Sequence, residues 1–131
     1  MLERFVAGTP APQGSKRFLG VRGGHAVLVE SSRALGSWRA DVRAAFTGAG
    51  TIAGPVVVEV VFRLPRPASV SVKRRPLPTV RPDVDKLCRA VLDALTSAGV
   101  YGDDAQVVRL VASKEYVTPG LQGALVRVSG V

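Results

Sequence analysis

Arg81–Val107 reads RPDVDKLCRAVLDALTSAGVYGDDAQV, and the fold turns on this stretch. Val84, Leu87, Cys88, Val91, Ala94, Leu95 and Ala98 recur at helical spacing and share one face. Asp85, Lys86, Arg89 and Asp93 fall on the opposite face. Pro82 biases Arg81 toward an extended backbone, which leaves Asp83 as the helix N-cap. Gly99 follows the last apolar position and acts as the C-terminal stop. The spacing therefore predicts a short amphipathic helix with carboxylates at its start and an Asp103–Asp104 pair just beyond its end.

Residues two apart on a regular helix do not face each other. Asp83 and Asp85 converge only if Asp83 stands outside the helix, as an N-cap does. Asp103 and Asp104 then return at the mouth of the next strand. Three or four carboxylates gathered in this way repel one another unless a divalent cation joins them, and an all-oxygen donor set suits Mg²⁺ or Mn²⁺. Arg89 lies one turn beyond Asp85 and reaches the same region. A plainer reading stands beside this one. Acidic residues at a helix N-terminus complement its dipole without a metal, and Asp-Asp after Gly102 is also an ordinary turn.

The ordered set Pro-Asp-x-Asp, basic residue, Leu-Asp-x-Leu, Gly-Val, Asp-Asp-x-Gln-Val resembles the signature of the RusA-type Holliday junction resolvases. The opening segment GTPAPQGSKR also looks like that family's start. The resemblance implies a small dimeric, Mg²⁺-dependent endodeoxyribonuclease of phage or prophage origin. It maps the metal carboxylates onto Asp83, Asp85 and Asp104, with Asp103 adjacent. The family carries Lys one turn after the Asp-x-Asp, where this chain has Arg89, and commonly Asn where this chain has Lys86. Arg89 can hold a phosphate but cannot serve as a general base. Asp83, Asp85, Asp104 and Arg89 are thus the expected catalytic residues. Lys16, Arg17, Lys73, Arg74, Arg75, Arg81 and Lys86 are the expected DNA contacts.

The chain has 131 residues, 47% of them hydrophobic, which is enough for one domain with a real core. The formal net charge of +8 suits a polyanionic partner, though charge alone is a weak signal. The single cysteine, Cys88, excludes an internal disulfide and a cysteine-based zinc site, and it sits on the apolar stripe. His25 is the only histidine, and no serine or cysteine pattern around it suggests a triad. With no signal peptide and no long apolar span, a cytoplasmic protein with no membrane partner is expected.

Leu2–Ala7 reads as a first strand and His25–Glu30 as a second. Ser31 or Ser32 then caps a helix to about Phe46, with Leu35, Trp38, Val42, Ala45 and Phe46 on its inner face. Its arginines, Arg33, Arg39 and Arg43, lie largely on the other side. Pro55–Leu64 contains the β-branched run VVVEVVF and reads as a central strand. Gln106–Val117 and Ala124–Val128 complete the strands. Two proline-rich cationic segments remain: Gly8–Arg17, a phosphate contact or a plain surface loop, and Pro65–Val80, expected to be flexible until DNA binds. The sum is a single α+β domain over residues 1–131, a mixed sheet packed with two main helices.

The function these readings imply is Mg²⁺-dependent resolution of four-way DNA junctions by paired symmetric nicks, in recombination or repair. The alternatives are a non-catalytic DNA-binding module of the same fold and a nuclease for flaps or replication forks. A four-way junction has near two-fold symmetry, so two opposed cuts call for a homodimer.

Overall fold

Val56–Pro65 has a central place in the sheet because its sequence suits burial on one face. Val56, Val58, Val60, Phe62 and Leu64 are buried, while the residues between them are partly or fully exposed. That alternation is the period of a strand packed on one side. The computed structural model describes residues 1–14 and 24–131, with side chains described from residue 33 onward in the first helix.

Among the described residues, the elements in order are β1 (Leu2–Ala7), α1 (Gly24–Phe46), β2 (Val56–Pro65), α2 (Val84–Ser97), a 3₁₀ turn (Asp104–Gln106), β3 (Val107–Val117) and β4 (Gly123–Gly130). They form a four-stranded sheet in the order β1-β4-β2-β3. β4 runs antiparallel to both β1 and β2, whereas β3 runs parallel to β2. A parallel neighbour needs a long crossover, and α2 is that crossover. The mixed sheet with two helices is the expected α+β class.

One face of the sheet meets both helices. Ala124, Val126 and Val128 of β4 join the β2 row. Leu35, Trp38, Val42 and Phe46 come down from α1, and Leu87, Cys88, Ala90, Val91, Ala94 and Leu95 from α2. Each large aliphatic or aromatic side chain buried here stabilises the fold by about 1.5–3 kcal/mol. Trp38 is 1% exposed, so it is a core anchor and not a stacking platform. Burial pushes the Cys88 thiol up to about 11, with Asp85 adding to the shift, so it is an inert thiol at neutral pH. Gly123 allows the tightest approach in the sheet: a Cβ there would lie 2.2 Å from the Val6 carbonyl oxygen.

One expectation changes. His25–Glu30 is not a strand, because α1 already begins at Gly24 and runs 23 residues. Val27 and Val29 favour a strand locally, but no proline interrupts 24–46, so the helical period of the second half extends backward. Ser31 and Ser32 therefore lie inside the helix and do not cap it. The segment from Pro65 to Val80, expected to be flexible until DNA binds, carries contacts at Arg66 and Arg75. The Arg66 guanidinium lies 4.4 Å over the Tyr116 ring and donates to the carbonyls of Arg75 (2.7 Å) and Pro76 (3.2 Å). Arg75 in turn donates to the Tyr116 hydroxyl at 3.3 Å.

Candidate active site

The N-terminus of α2 forms as expected in backbone and differs in side chain. Asp83 is the N-cap, extended at φ −71° and ψ 140°, but its carboxylate makes no capping hydrogen bond. It pairs instead with Lys86 at 3.6 Å, both groups being substantially exposed. Such a pair contributes little to stability, which leaves the carboxylate available. Asp85 is exposed in the first helical turn. The Arg81–Pro82 peptide bond before them is cis. At the other end, Ala98 closes α2 and Gly99 turns the chain at φ +80°.

Asp103 and Asp104 are held by a local lock. Asp103 accepts from the Ala105 amide at 3.0 Å, and Gln106 reaches back to the amides of Gly102 (2.8 Å) and Asp103 (3.2 Å). This is a capping box built on a 3₁₀ turn. The same Gln106 donates to the carbonyls of Ile52 (3.1 Å) and Gly54 (2.9 Å), fastening the turn to the loop before β2. Below it, the buried Tyr101 hydroxyl donates to the Leu92 carbonyl at 3.0 Å, and burial raises its pKa. The signature glutamine is thus a structural tie. Its signal was legible as Asp-x-x-Gln, the capping-box spacing.

The electrostatics identify which groups share space. A hydrogen bond with Asp103 raises the pKa of Asp104, assisted by desolvation and by the charges of Asp103 and Asp93, while Arg89 opposes the shift. The Ala105 amide holds Asp103 below its usual range. The chain therefore brings Asp103, Asp104, Asp93 and Arg89 into one neighbourhood. Among the described residues, no group of three or more His, Cys, Asp or Glu side chains is arranged to hold a metal ion.

The donor chemistry nevertheless fits a hard divalent cation. The two pairs offer only exposed carboxylate oxygens, and negative charge crowds Asp104 in a way that a cation would relieve.

Asp93 is a participant the sequence reading left without a role. It is half-buried and accepts from the Gln13 side chain, while the Gln13 amide donates to the Lys86 carbonyl at 3.1 Å. Gln13 is thereby laid along the polar face of α2. The Gln13 side-chain oxygen Oε1 is buried and unpartnered. Of the expected DNA contacts, Lys73, Arg74 and Arg81 are exposed, Lys86 is partly buried, and Arg75 is turned toward Tyr116; Arg89, expected to be catalytic, is exposed as well. Lys16 and Arg17 lie outside the described residues.

The family described as Endodeoxyribonuclease RusA matches residues 7–125, a span that holds both acidic pairs, the lock and the crossover helix. The chain belongs to the RusA endodeoxyribonuclease family. Among curated proteins, an uncharacterized protein of Bacillus subtilis strain 168, YqaN, is 40% identical over 74 residues. That match covers 50% of this chain and 51% of the relative, so the chain spans about half the length of the curated relative it matches. The RusA assignment agrees with the mixed sheet and two helices. Among the described residues, no helix is long and apolar enough to cross a membrane.

Proposed function

We propose that this chain is a structure-specific endodeoxyribonuclease that resolves four-way DNA junctions with Mg²⁺, or Mn²⁺ in its place. The observation that carries the reading is the neighbourhood of Asp104, where crowded carboxylates meet an exposed guanidinium inside the RusA match. Asp83, Asp85, Asp103 and Asp104 would hold the cation. When bound, it supplies an activated water and neutralises charge on the phosphodiester. Arg89 holds a phosphate oxygen through its paired N–H donors and shifts no proton. Lys73 and Arg74, exposed on the loop before Asp83, bind backbone phosphates without reading sequence.

Paired symmetric nicks in recombination or repair follow if the chain works as a two-fold homodimer. Val108, Leu110 and Val111, at 64%, 42% and 43% exposure on the edge strand β3, are apolar surface available to such an interface. A location in the cytoplasm of a phage-infected or prophage-carrying bacterium is consistent with this reading.

A second reading rests on the described residues holding no group of three or more His, Cys, Asp or Glu side chains arranged for a metal ion: a branched-DNA-binding protein that does not cut. Incubation with Mg²⁺ and a panel of four-way junction, flap, fork and linear duplex distinguishes them. Symmetric nicks confined to the junction are expected. Tight junction binding with no cleavage in Mg²⁺ or Mn²⁺ would establish the second reading, and preferential cutting of flaps would reassign the substrate.

A further inference from the structure

Lys114 sits well along β3, ten positions beyond Asp104 in the sequence. In register it is opposite the fully buried Phe62, on the side of the sheet that the helices cover. Its ammonium donates at 2.8 Å to the Val80 carbonyl and at 2.8 Å to the Pro82 carbonyl. These two carbonyls bracket Arg81, and the next residue is Asp83. One strand side chain therefore grips the backbone on both sides of an expected DNA contact and immediately before an expected metal ligand.

The grip matters because little else fixes Asp83. Its side chain makes no capping bond, and its ion pair with Lys86 is exposed and 3.6 Å long. From inside the helix, the Asp83 carbonyl accepts from the Leu87 amide at 3.1 Å. From outside, the segment is held by Lys114. Hydrogen bonds from an ammonium are about twice as strong as neutral ones. Two of them converging on one nitrogen define a position as well as an energy.

We propose that Lys114 is a positioning residue for the Asp83–Asp85 end of the site, a role that rests on the nuclease reading above. It touches neither scissile phosphate nor cation in this role. It sets the backbone from which Asp83 and Arg81 project. A displacement of about 1 Å at a reacting centre can cost about 10²-fold in rate.

The test compares wild type, Lys114→Met and Lys114→Arg by three measurements. These are amide hydrogen exchange, Mn²⁺ binding without DNA, and junction cleavage kinetics. In Lys114→Met, exchange should accelerate at least about tenfold, confined to residues 79–87. Mn²⁺ affinity should fall about tenfold, in the range seen when a group orienting a metal ligand is lost. The cleavage rate constant should fall while junction KM stays near wild type. Lys114→Arg, which keeps the charge and offers paired donors, should recover part of each.

Unchanged exchange over 79–87 in an active protein overturns the clamp. Accelerated exchange with wild-type Mn²⁺ affinity and rate overturns its bearing on the site. Global unfolding of Lys114→Met overturns a local role. A wild-type chain that neither binds Mn²⁺ nor cleaves overturns the nuclease reading, and the positioning role falls with it.

Discussion

Asp103–Asp104 and Asp83–Asp85 flank the same helix, yet the first pair is held by a capping box closed within its own turn, which Gln106 also ties to the loop before β2, and the second by its surroundings. Asp103 is tied to Ala105, and Gln106 satisfies the two amides before them. The first pair is therefore rigid because its own short sequence closes a capping box. Asp83 forms no such bond, and its approach is held by Lys114 from another strand. The difference teaches that two carboxylate pairs of similar composition can differ in how much of the rest of the molecule they need. A locked end presents charge at a fixed place. An open end can adjust to what binds.

The comparison can be broken most forcefully at the carboxylates. Asp85→Asn and Asp104→Asn should each lower junction cleavage more than about 10³-fold, as losses of members of a concerted set do. Junction affinity should hold or rise, because fewer negative charges face the phosphates. Single-turnover cleavage and gel-shift titration check both. Equal activity in one of the two variants would mean that only one acidic end takes part.

Arg89 comes next in size. Arg89→Ala should cost about 10²–10³-fold in rate, the range for removing a donor that acts in the transition state. Arg89→Lys should retain much of the activity. An alanine variant cutting at the wild-type rate would remove Arg89 from the site.

Stability measurements sharpen the contrast between the ends. Gln106→Ala gives up four hydrogen bonds and should destabilise the fold by about 1–3 kcal/mol in urea titration, since some of the freed groups will find water. Asp83→Ala should change stability by no more than about 0.5 kcal/mol, although it replaces an N-cap residue, because no capping bond is lost. The reverse ranking would contradict the locked-versus-open distinction.

The smallest effect concerns protonation. Asp104 has a raised folded-state pKa, so its contribution favours folding below the unfolded value and is lost as pH rises through the folded one. Asp103 has a lowered value and contributes in the opposite sense, above the unfolded value and lost as pH falls through the folded one. Asp93→Asn removes one of the charges acting on Asp104, so the Asp104 titration should move down toward an ordinary aspartate. Carboxyl-carbon NMR in metal-free buffer measures it. Adding Mg²⁺ to wild type should move the same resonance in the same direction.

Much of this was legible because the relevant forces are local. The alternation in Val56–Leu64, the apolar stripe from Leu87 to Leu95 and the Gly99 stop each act over a few residues, and each element formed where its pattern placed it. His25–Glu30 failed for the same reason: its β-branched residues argue locally for a strand, while the helix that absorbs it extends 23 residues. The remaining features depend on contacts distant in sequence. Gln13 meets Asp93 across 80 residues, and Lys114 meets Pro82 across 32. No spacing rule links such partners. The insertion of β4 between β1 and β2 is equally non-local, since strand order follows from pairing that periodicity does not encode.

That insertion has a consequence for how the chain is made. Among the described residues, β1 has one neighbour in the sheet, and that neighbour is β4, which follows β2 and β3 in the sequence. At a synthesis rate of ~5–20 residues per second, β1 waits roughly 6–24 s for its partner to be translated. Between its own synthesis and that of β3, the valine-rich β2 offers two open edges to other chains, and one edge stays open until β4 follows. The nascent polypeptide therefore passes through a prolonged sticky stage. It leaves that stage only when residues 123–130 clear the ribosome and draw the first strand into place.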